Sequence, residues 1–438
     1  MSIIYALATP PAQSAICVFR VSGEGCLDAL SKLFNSELVE PRYFYKTEML
    51  NNGAFIDSVA VVFFKGPKSF TGEDSFEVYA HGGLAVMSKI VEVFDAIGFE
   101  EAQPGEFSKR AFLNNKISLS QAEAVSDLIS ASSKEEASRV SLVLRGDFES
   151  RVFDFSGQLD ALRVLVEGEI DFTDEDEVFI QNLAGLGADV SRLSAEFCSF
   201  AGACSSRKDG FNKPRVLIAG PPNSGKSSLF NSLLSRDRSI VSSIAGTTRD
   251  LIDSELVLQN IVLTLGDSAG VRDTDDLIEG AGINISFDEI KKSDLVILVF
   301  DEETESSVSF FRELLGEQKH LLVYNKIDVS DKRPLGFDLF VSAKEMDGLN
   351  ELRKVLDERL SVDESEDLTY LVRERHIKIF SEVSSRLDFV SSSIEVNESL
   401  DVVAENLKAC RDLLAEVVGI KTSDELLGEI FSSFCIGK

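Results

Sequence analysis

The sequence predicts a multi-domain α/β plus α protein with an N-terminal α/β domain, a helical domain and an inserted doubly wound domain. Three observations support this fold class. The chain has 438 residues, enough for two or three domains with cores of their own. Its first part alternates short β-rich runs with turns, and residues 119–210 contain no proline. Residues 213–358 then alternate apolar strands with helical patterns.

Residues 1–118 contain β-rich runs at Ala15–Val21 and Ser58–Phe64, separated by turn pairs such as Asn52-Gly53 and Pro104-Gly105. This texture predicts an α/β or α+β domain. From residue 119 the pattern changes, because Leu119 starts a series of apolar residues at helical spacing.

Helical texture returns at about 366–430. We therefore predict one helical domain, residues 119–212 and 359–438, interrupted by an inserted α/β domain at 213–358. Within that domain the apolar runs predict buried strands of a mainly parallel sheet. Their predicted bounds are Arg215–Ala219, Ile261–Leu265, Leu295–Phe300 and His320–Tyr324.

Composition limits the possible functions. The net charge of −30 argues against a surface built throughout to bind nucleic acid, although a local basic patch remains possible. The six cysteines form no C-x-x-C pair, so we expect neither a disulfide framework nor a zinc site. No apolar run is long enough to span a membrane, and the N-terminus lacks a signal-peptide pattern. We expect a cytoplasmic protein with no membrane association.

The acidic run Asp171–Glu177 interrupts the helical pattern. A solvated loop is the favoured interpretation, and a metal site is the minority one, because no nearby residues define a ligand geometry.

Gly220–Ser227 matches the phosphate-loop pattern G-x-x-x-x-G-K-[ST], between a strand and the predicted helix Ser228–Leu234. The glycines let backbone N–H groups surround phosphates. Lys226 would contact the β- and γ-phosphates, and Ser227 would bind Mg²⁺. A glycine-rich turn without a ligand is the alternative interpretation of this motif alone.

Further motifs follow the phosphate loop along the chain. Asp267–Gly270 ends a strand, so that Asp267 can bind Mg²⁺ through water and the Gly270 N–H can contact the γ-phosphate. Thr248, within Gly246–Asp250, is the candidate switch threonine that completes the Mg²⁺ shell.

Asn325–Asp328 ends another strand and selects the base. The Asp328 carboxylate accepts hydrogen bonds from guanine N1–H and N2–H₂, whereas adenine would leave the carboxylate unpaired. Ser342–Lys344 lies where a backbone N–H can contact guanine O6. The motif set resembles the translation-factor-related GTPases and predicts a P-loop (Ras-like) G domain.

The predicted GTP contacts fall in four segments of the chain. They are Asn223, Ser224, Gly225, Lys226, Ser227 and Ser228; Ser242, Ser243, Ile244, Ala245, Gly246, Thr247 and Thr248; Asp267, Ser268, Ala269 and Gly270; and Asn325, Lys326, Asp328, Ser342, Ala343 and Lys344.

The residue after the Asp267–Gly270 motif is Val271, where Ras-like enzymes have a glutamine that orients the attacking water. An apolar side chain cannot orient water, so another group must do so. Glu279 is the candidate, with Lys226 and Gly270 as the other catalytic residues. Spacing alone would favour the interpretation of Glu279 as a solvated loop carboxylate.

The end of the chain carries a family resemblance. Phe434–Lys438 is similar to the C-terminal tail of the MnmE (TrmE) family of tRNA-modification GTPases, and the resemblance extends over nearly the whole chain. The other matching motifs are Ala8–Pro11, Phe19–Gly23, Ser69–Asp74, His81–Gly83, Pro104–Ser108, Ala111–Asn114, Gln121–Glu123 and Gly246–Asp250.

The resemblance implies a function in which GTP turnover moves the domains. Members of the family act with the flavoprotein MnmG, which uses FAD and NADH, on C5 of the wobble uridine of certain tRNAs. A carboxymethylaminomethyl or aminomethyl group is added there, and 5-formyltetrahydrofolate or a related tetrahydrofolate supplies the one-carbon unit. The N-terminal domain resembles folate-dependent aminomethyltransferases and forms a homodimer.

The resemblance also assigns residues. The folate site falls on Arg20, Glu77, Lys116 and Lys438, and Cys435 matches a tail cysteine that either takes part in the modification chemistry or is a buried structural residue.

In the G domain the resemblance implies K⁺ coordination and K⁺-stimulated hydrolysis. The implied K⁺ ligands are Asn223, Ser242, Ile244 and Thr247, and the implied Mg²⁺ ligands are Ser227 and Thr248. Glu279 falls on the family's catalytic glutamate, which reverses the preference given by spacing alone.

This sequence departs from the family pattern at three places: Ala12–Ile16 replaces a glycine-rich run, and Ser268 and Ser242 each replace a threonine. A hydroxyl or main-chain ligand survives the change at Ser242, so we expect K⁺ dependence to persist. The first departure leaves the local backbone and details of the N-terminal dimer open.

Two alternatives remain at this stage. A ribosome-assembly GTPase would share the nucleotide motifs but lack the folate-like N-terminal domain and the cysteine-bearing tail. A folate- and tRNA-binding scaffold with a vestigial GTPase is the second, and the intact Lys226, Thr248, Asp267 and Glu279 argue against it.

Overall fold

The computed structural model describes residues 2–36, 38–171, 176–207, 213–235, 253–267, 287–316, 318–330, 332–360, 369–396, 399–420, 424–432, 434 and 437. Contacts divide the chain into two compact units. Unit 1 comprises Met1–Ser130, Ser138–Asp209 and Glu366–Lys438, and unit 2 comprises Ala131–Ala137 and Gly210–Ser365. The four-part division at residues 118, 212 and 358 stays a prediction.

Unit 1 begins with a six-stranded sheet of order β3-β4-β5-β2-β1-β6. Neighbouring strands are antiparallel except β1 and β6. The strands are β1 (Ile4–Leu7), β2 (Ile16–Ser22), β3 (Tyr45–Asn51), β4 (Ala54–Phe64), β5 (Ser75–His81) and β6 (Glu100–Glu101). A 3₁₀ turn spans Cys26–Ala29, and the helices are α1 (Leu30–Leu33), α2 (Leu84–Ala96) and α3 (Glu106–Leu113).

Alternation along β5 decides which side chains reach the core. Phe76, Val78 and Ala80 are buried, whereas Glu77 and Tyr79 between them are half-buried. This is the period of two expected for a strand with one covered face. The other face of the sheet therefore carries the polar side chains of the candidate site described below.

The helical part starts where Ser118 caps α4. Its hydroxyl accepts the Gln121 N–H at 3.2 Å, and its own N–H donates to the Gln121 side chain at 3.0 Å. Such a reciprocal cap stabilises a helix start by about 1 kcal/mol. The following elements are α4 (Leu119–Ile129), α5 (Lys134–Arg145), α6 (Asp147–Asp171), α7 (Asp176–Gly202) and β7 (Cys204–Arg207). Helix α6 ends and α7 begins within the predicted acidic loop, of which residues 172–175 lie outside the described residues.

Unit 2 contains a six-stranded sheet of order β13-β12-β11-β8-β10-β9, parallel except for the pairing of β9 with β10. The strands are β8 (Arg215–Ala219), β9 (Asp253–Val257), β10 (Val262–Asp267), β11 (Leu295–Phe300), β12 (His320–Tyr324) and β13 (Leu339–Phe340). The helices are α8 (Lys226–Ser235), α9 (Phe287–Lys292), α10 (Val308–Leu315) and α11 (Leu349–Leu360), and a 3₁₀ turn spans Glu305–Ser307.

Strand β11 is buried along its whole length because helices cover both faces of the sheet. Leu295, Ile297 and Val299 belong to one apolar cluster, with side chains of α8 and α11. The alternate residues of β11 belong to a second cluster, with side chains of α9 and α10. The predicted doubly wound sheet is therefore confirmed.

The chain returns to unit 1 through β14 (Tyr370–Arg373), which pairs in parallel with β7. Three helices follow: α12 (Glu374–Glu395), α13 (Leu400–Val418) and α14 (Asp424–Ser432). Helices α6, α7, α12 and α13 share one apolar core, in which Phe148, Phe155, Phe197, Phe200 and Phe380 are buried. Among the described residues no helix is long and apolar enough to cross a bilayer.

Candidate functional site

The phosphate loop of unit 2 joins the carboxyl end of β8 to the first turn of α8. Its two conformationally special positions are glycines. Gly220 has φ 144°, and a Cβ there would lie 2.3 Å from the Val299 carbonyl oxygen. Gly225 has φ 92°, and a Cβ there would lie 2.2 Å from the Asn325 side-chain nitrogen. A side chain would displace backbone at Gly220 and the Asn325 amide at Gly225, and both φ values favour glycine.

The donor groups of this loop fit a triphosphate. The Lys226 ammonium donates to the Pro221 carbonyl oxygen at 2.8 Å, so its side chain folds back over the loop. Ser227 and Ser228 lie exposed in the first turn of α8. Backbone N–H groups at a helix start, an ammonium and a serine hydroxyl are the groups that bind phosphates and Mg²⁺.

Asn325 connects three of the predicted segments. It is buried, donates its side-chain N–H to the Ser224 carbonyl oxygen at 2.9 Å, and accepts the Ala343 N–H at 3.1 Å. The phosphate loop and the two base-recognition segments therefore lie against one another, although they are distant in the sequence.

Asp328 presents its carboxylate at the surface, next to Ser342. The Ser342 hydroxyl donates to Asp328 Oδ1 at 2.6 Å, and this hydrogen bond lowers the pKa of Asp328 below its ordinary value. The carboxylate is therefore ionised at neutral pH and keeps lone pairs for N–H donors of a base.

Asp301 is a site residue that the sequence analysis missed. Lys326 donates one hydrogen bond to Asp301 Oδ2 and another, of 2.7 Å, to the Asn223 carbonyl oxygen. Burial opposes ionisation of Asp301, but the contacts with Lys326 and Thr304 outweigh it and lower the pKa of Asp301. Asp301 directly follows β11. Its position at the carboxyl end of a central parallel strand could have identified it from the sequence as a site residue.

Several predicted residues lie outside the described part of the chain. They are Ser242, Ser243, Ile244, Ala245, Gly246, Thr247, Thr248, Ser268, Ala269, Gly270, Glu279, Cys435 and Lys438. Asp267 is the last residue of β10, so its backbone lies at the same edge of the sheet as the phosphate loop. Within the described residues no group of three or more His, Cys, Asp or Glu can hold a metal ion. Five described cysteines are free.

Unit 1 contains a cavity of about 120 Å³ on the polar face of its sheet. It is lined by Arg20, Phe64, Phe70, Thr71, Ser75 and Glu77. Arg20 on β2 and Glu77 on β5 are direct partners in the strand register, and Arg20 Nε donates to Glu77 Oε1 at 3.0 Å. The register therefore joins two of the predicted folate-site residues.

Neighbouring side chains fix this ion pair. Tyr79 donates to Glu77 Oε2 at 2.7 Å, and burial together with this hydrogen bond raises the pKa of Tyr79 to about 12. The Arg20 guanidinium lies 5.9 Å from the ring centres of both Phe70 and Phe107. The cavity thus offers a cation, an acceptor and aromatic walls, which suit a flat heterocycle with N–H donors.

Gly437 in the C-terminal tail contacts Arg20, which lines this cavity. Gly437 is buried with φ 89°, and its carbonyl oxygen accepts from Arg20 Nη1 at 3.4 Å. Phe434 is buried in an apolar cluster with Leu119 and Phe431. Lys116, another predicted folate residue, is exposed and donates to the Pro67 carbonyl oxygen at 2.8 Å rather than to the Arg20–Glu77 pair.

Comparison with known proteins identifies the family. The model described as the N-terminus of the GTP-binding protein TrmE matches residues 3–116, and the MnmE helical domain model matches residues 119–435. A tRNA modification GTPase MnmE from Legionella pneumophila (strain Corby) is 38% identical over 446 residues, with 99% of both chains covered. One from Francisella tularensis subsp. holarctica (strain FTNF002-00 / FTA) is 34% identical over 447 residues, with the same coverage of 99%.

Among solved structures, the G domain of the FeoB iron transporter of T. maritima is 28% identical, with a TM-score of 0.27. It covers 34% of this chain and 100% of its own. The relatives matched over the full length are named GTPases, as the nucleotide motifs of unit 2 predict. The chain is a GTP hydrolase and belongs to the MnmE (TrmE) family of tRNA modification GTPases.

Proposed function

We propose that this protein is a K⁺-stimulated GTPase that acts with an MnmG-type flavoprotein in modifying the wobble uridine of certain tRNAs. The product carries a carboxymethylaminomethyl or aminomethyl group on C5, and 5-formyltetrahydrofolate or a related tetrahydrofolate donates the one-carbon unit. The observation that carries the proposal is the presence in one chain of the Asn325-centred nucleotide site and of the Arg20–Glu77 cavity contacted by the C-terminal tail.

In the nucleotide site we propose that the phosphate loop binds the triphosphate and that Asp328 selects guanine. Because the Ala343 N–H already donates to Asn325, the Lys344 N–H is the better candidate for guanine O6. Ser227 and Thr248 would hold Mg²⁺, while Asn223, Ser242, Ile244 and Thr247 would hold K⁺. Bound cations would neutralise charge that develops on the phosphates. Glu279 would orient the attacking water.

The cavity in unit 1 supports the folate part of the proposal. Glu77 is an acceptor for pterin N–H groups, and Arg20 is a cation that is held in place by Glu77 and the Gly437 carbonyl oxygen. Lys116 and Lys438 would bind carboxylates of the glutamate end. Cys435 would take part in the modification chemistry, and its position two residues before Gly437 in the sequence favours this role.

The partners belong to the same proposal. A second copy of the chain would pair through the N-terminal domain, and MnmG would bring FAD and NADH. The protein would bind tRNA and GTP in the cytoplasm. The two folded units offer a division of labour, in which nucleotide turnover in unit 2 drives movement and one-carbon chemistry occurs at the cavity of unit 1.

Mass analysis of wobble uridines tests the proposal. In cells that lack the protein, the modified uridines are expected to disappear, and the intact gene is expected to restore them. Arg20→Ala should fail to restore them, whereas Lys89→Ala, a change of an exposed cation on α2, should succeed. Unchanged uridines in the deletion strain would refute the pathway. GTP hydrolysis that is equally fast in KCl and NaCl would refute only K⁺ stimulation.

A further inference from the structure

The loop between β4 and β5, residues 65–72, forms one wall of the cavity in unit 1. Phe70 and Thr71 of this loop line the cavity, as does Phe64 immediately before it. The same loop carries Lys65 and Lys68, and both side chains are exposed. The wall of the cavity and a pair of surface cations are thus one peptide segment, which we call the cation loop.

Two more cations are bonded to the backbone of the cation loop. Arg42 Nη2 donates to the Lys68 carbonyl oxygen at 2.7 Å, and Lys116 Nζ donates to the Pro67 carbonyl oxygen at 2.8 Å. Both acceptors are neutral, so neither bond compensates a charge. Arg42 and Lys116 are also exposed. Four exposed cations therefore belong to, or are bonded to, the loop that lines the cavity.

Two carboxylates that follow the cation loop in the sequence have hydrogen-bond partners other than these four cations. Asp74 accepts the Gly66 N–H at 2.8 Å, and Glu73 pairs with buried Arg110 at 3.1 Å. Within the described part of the chain, none of the four cations has a carboxylate within 4.0 Å. In a chain with a net charge of −30, such a cluster makes a local positive potential.

We propose that the cation loop, with Arg42 and Lys116, binds a chain of linked glutamates that extends from the folate in the cavity. The inference rests on the folate site proposed above and specifies its substrate class as a polyglutamyl tetrahydrofolate. The pterin end needs the Arg20–Glu77 pair and the aromatic walls, so the acidic end must leave the cavity along its rim. Successive carboxylates at that rim match cations that the protein leaves unpaired.

An RNA backbone is the other polyanion that cations can bind. The observations favour glutamates, because the cations belong to or are bonded to a single loop that also lines the cavity. One ligand can therefore place its heterocycle in the cavity and its carboxylates on the cation loop. Each exposed ion pair contributes a factor of about two to five in affinity. Two or three added ion pairs are expected to raise the affinity about tenfold, and added salt should reduce this gain.

Calorimetric titration of the full-length protein tests the proposal. The probes are the monoglutamate and triglutamate forms of 5-formyltetrahydrofolate at low salt. The wild type is expected to bind the triglutamate about tenfold more tightly. In the double variant Lys65→Ala/Lys68→Ala this ratio is expected to fall to about two, since Arg42 and Lys116 remain. The matched control Lys89→Ala, which removes an exposed cation on α2, should keep the ratio of the wild type.

The outcomes separate this inference from the proposed function. Equal affinities of the wild type for the two ligands would overturn the inference and leave the folate site intact. Failure to bind either ligand would overturn the folate site itself. A filter-binding assay with tRNA identifies the competing role. If the double variant loses tRNA affinity while its triglutamate-to-monoglutamate ratio equals that of the wild type, the cation loop contacts RNA and the inference is wrong.

Discussion

Asn325 donates a hydrogen bond of 2.9 Å to the carbonyl oxygen of Ser224, which joins the segment after β12 to the phosphate loop. The same side chain accepts the Ala343 N–H. Asn325 is buried, so both hydrogen bonds lie inside unit 2. One amide side chain therefore fixes the relative positions of the segments that we expect to bind phosphate and base.

Replacement of Asn325 by alanine is expected to weaken both stability and nucleotide binding. It leaves the Ser224 carbonyl and the Ala343 N–H without their partner, and each such buried group costs about 1–3 kcal/mol. We expect the free energy of unfolding to fall by about 2–4 kcal/mol. Urea titration measures this change, and fluorescence titration with a labelled GDP measures the accompanying loss of affinity.

Asn406→Ala is the matched control for that change. Asn406 also makes two side-chain hydrogen bonds, to Val402 and from Arg386, but it lies in unit 1. It should lower stability without lowering GDP affinity. If Asn325→Ala left GDP affinity equal to that of the wild type, the bridging role of Asn325 would be wrong.

Asp328→Asn is expected to change the base that unit 2 selects. The amide loses one acceptor and gains a donor, so guanine N2–H₂ meets an N–H while the 2-oxo group of xanthine meets a hydrogen-bond partner. We expect GTP affinity to fall by a factor of about 10²–10⁴, from the loss of two charge-assisted hydrogen bonds. Competition titrations with GTP, XTP and ATP measure the preference. A variant that still prefers GTP over XTP would contradict the assignment of Asp328.

Asn223→Gly tests the proposed K⁺ ligand without disturbing the loop. Asn223 has φ 64°, which glycine adopts freely, and its carbonyl oxygen still accepts from Lys326 after the change. The change removes the whole side chain, including the amide oxygen that is the proposed ligand. We expect hydrolysis in KCl to slow by about 10–100-fold while the rate in NaCl barely changes. Initial rates of phosphate release in the two salts measure this, and an unchanged ratio would exclude Asn223 as a ligand.

The central strands of unit 2 could be predicted because a strand that is covered on both faces is a continuous apolar run in the sequence. The predicted bounds of Leu295–Phe300 and His320–Tyr324 are those of β11 and β12. The predicted strand Ile261–Leu265 is displaced, since β10 spans Val262–Asp267. Ile261 instead forms an isolated bridge with Ser133, and apolar pattern alone cannot reveal a partner more than a hundred residues away.

Side chains that act through distant contacts were harder to predict. Asp301 meets Lys326 only because parallel pairing of β11 with β12 brings the ends of both strands together. In unit 1, Arg20 and Glu77 were assigned from the family resemblance, whereas their direct contact depends on strand register. Phe70 and Tyr79 were missed because an aromatic side chain in a sequence gives no sign of whether it faces a core or a cavity.

Glu123 is expected to make stability depend on pH in the acid range. Arg375 donates two hydrogen bonds to its buried carboxylate, and His376 Nε2 lies 3.3 Å away. Burial opposes the charge, but His376 and Arg375 outweigh it and lower the pKa of Glu123 from 4.5 to about 2. Because the pKa is lowered in the folded state, the stabilisation is complete above about pH 4.5 and is lost as the pH falls towards about 2.

Glu123→Gln should therefore destabilise the protein most at neutral pH. The change leaves a guanidinium without its carboxylate and costs about 3–5 kcal/mol at pH 7. The difference in free energy of unfolding from the wild type should shrink between pH 4.5 and the most acid condition that keeps the wild type folded. Urea titrations at several pH values measure it. The exposed pair of Glu382 with Arg386 provides the control, since Glu382→Gln is expected to change stability by less than about 1 kcal/mol. A constant difference across the acid range would contradict the assigned pKa.

The contact of the tail with the cavity predicts that Gly437→Ala weakens folate binding. Gly437 has φ 89°, a conformation that alanine adopts only with strain, and a Cβ there would lie 3.1 Å from the Leu7 carbonyl oxygen. The tail must shift, and Arg20 then loses the carbonyl oxygen that accepts from its Nη1. We expect the dissociation constant for 5-formyltetrahydrofolate to rise by a factor of about five, which corresponds to the loss of one hydrogen bond of about 1 kcal/mol.

Gly428→Ala separates this effect from a general change near the C-terminus. Gly428 lies in α14, and a Cβ there would meet no atom within 4 Å. Alanine also has a higher helix propensity than glycine, so the change should not disturb α14. This variant should therefore bind folate as the wild type does. Calorimetry on both variants measures the difference, and GTP hydrolysis should be unchanged in both because neither residue lies in unit 2. Equal losses of folate affinity would attribute the effect to α14, whereas full affinity in Gly437→Ala would mean that the tail does not support the Arg20 side of the cavity.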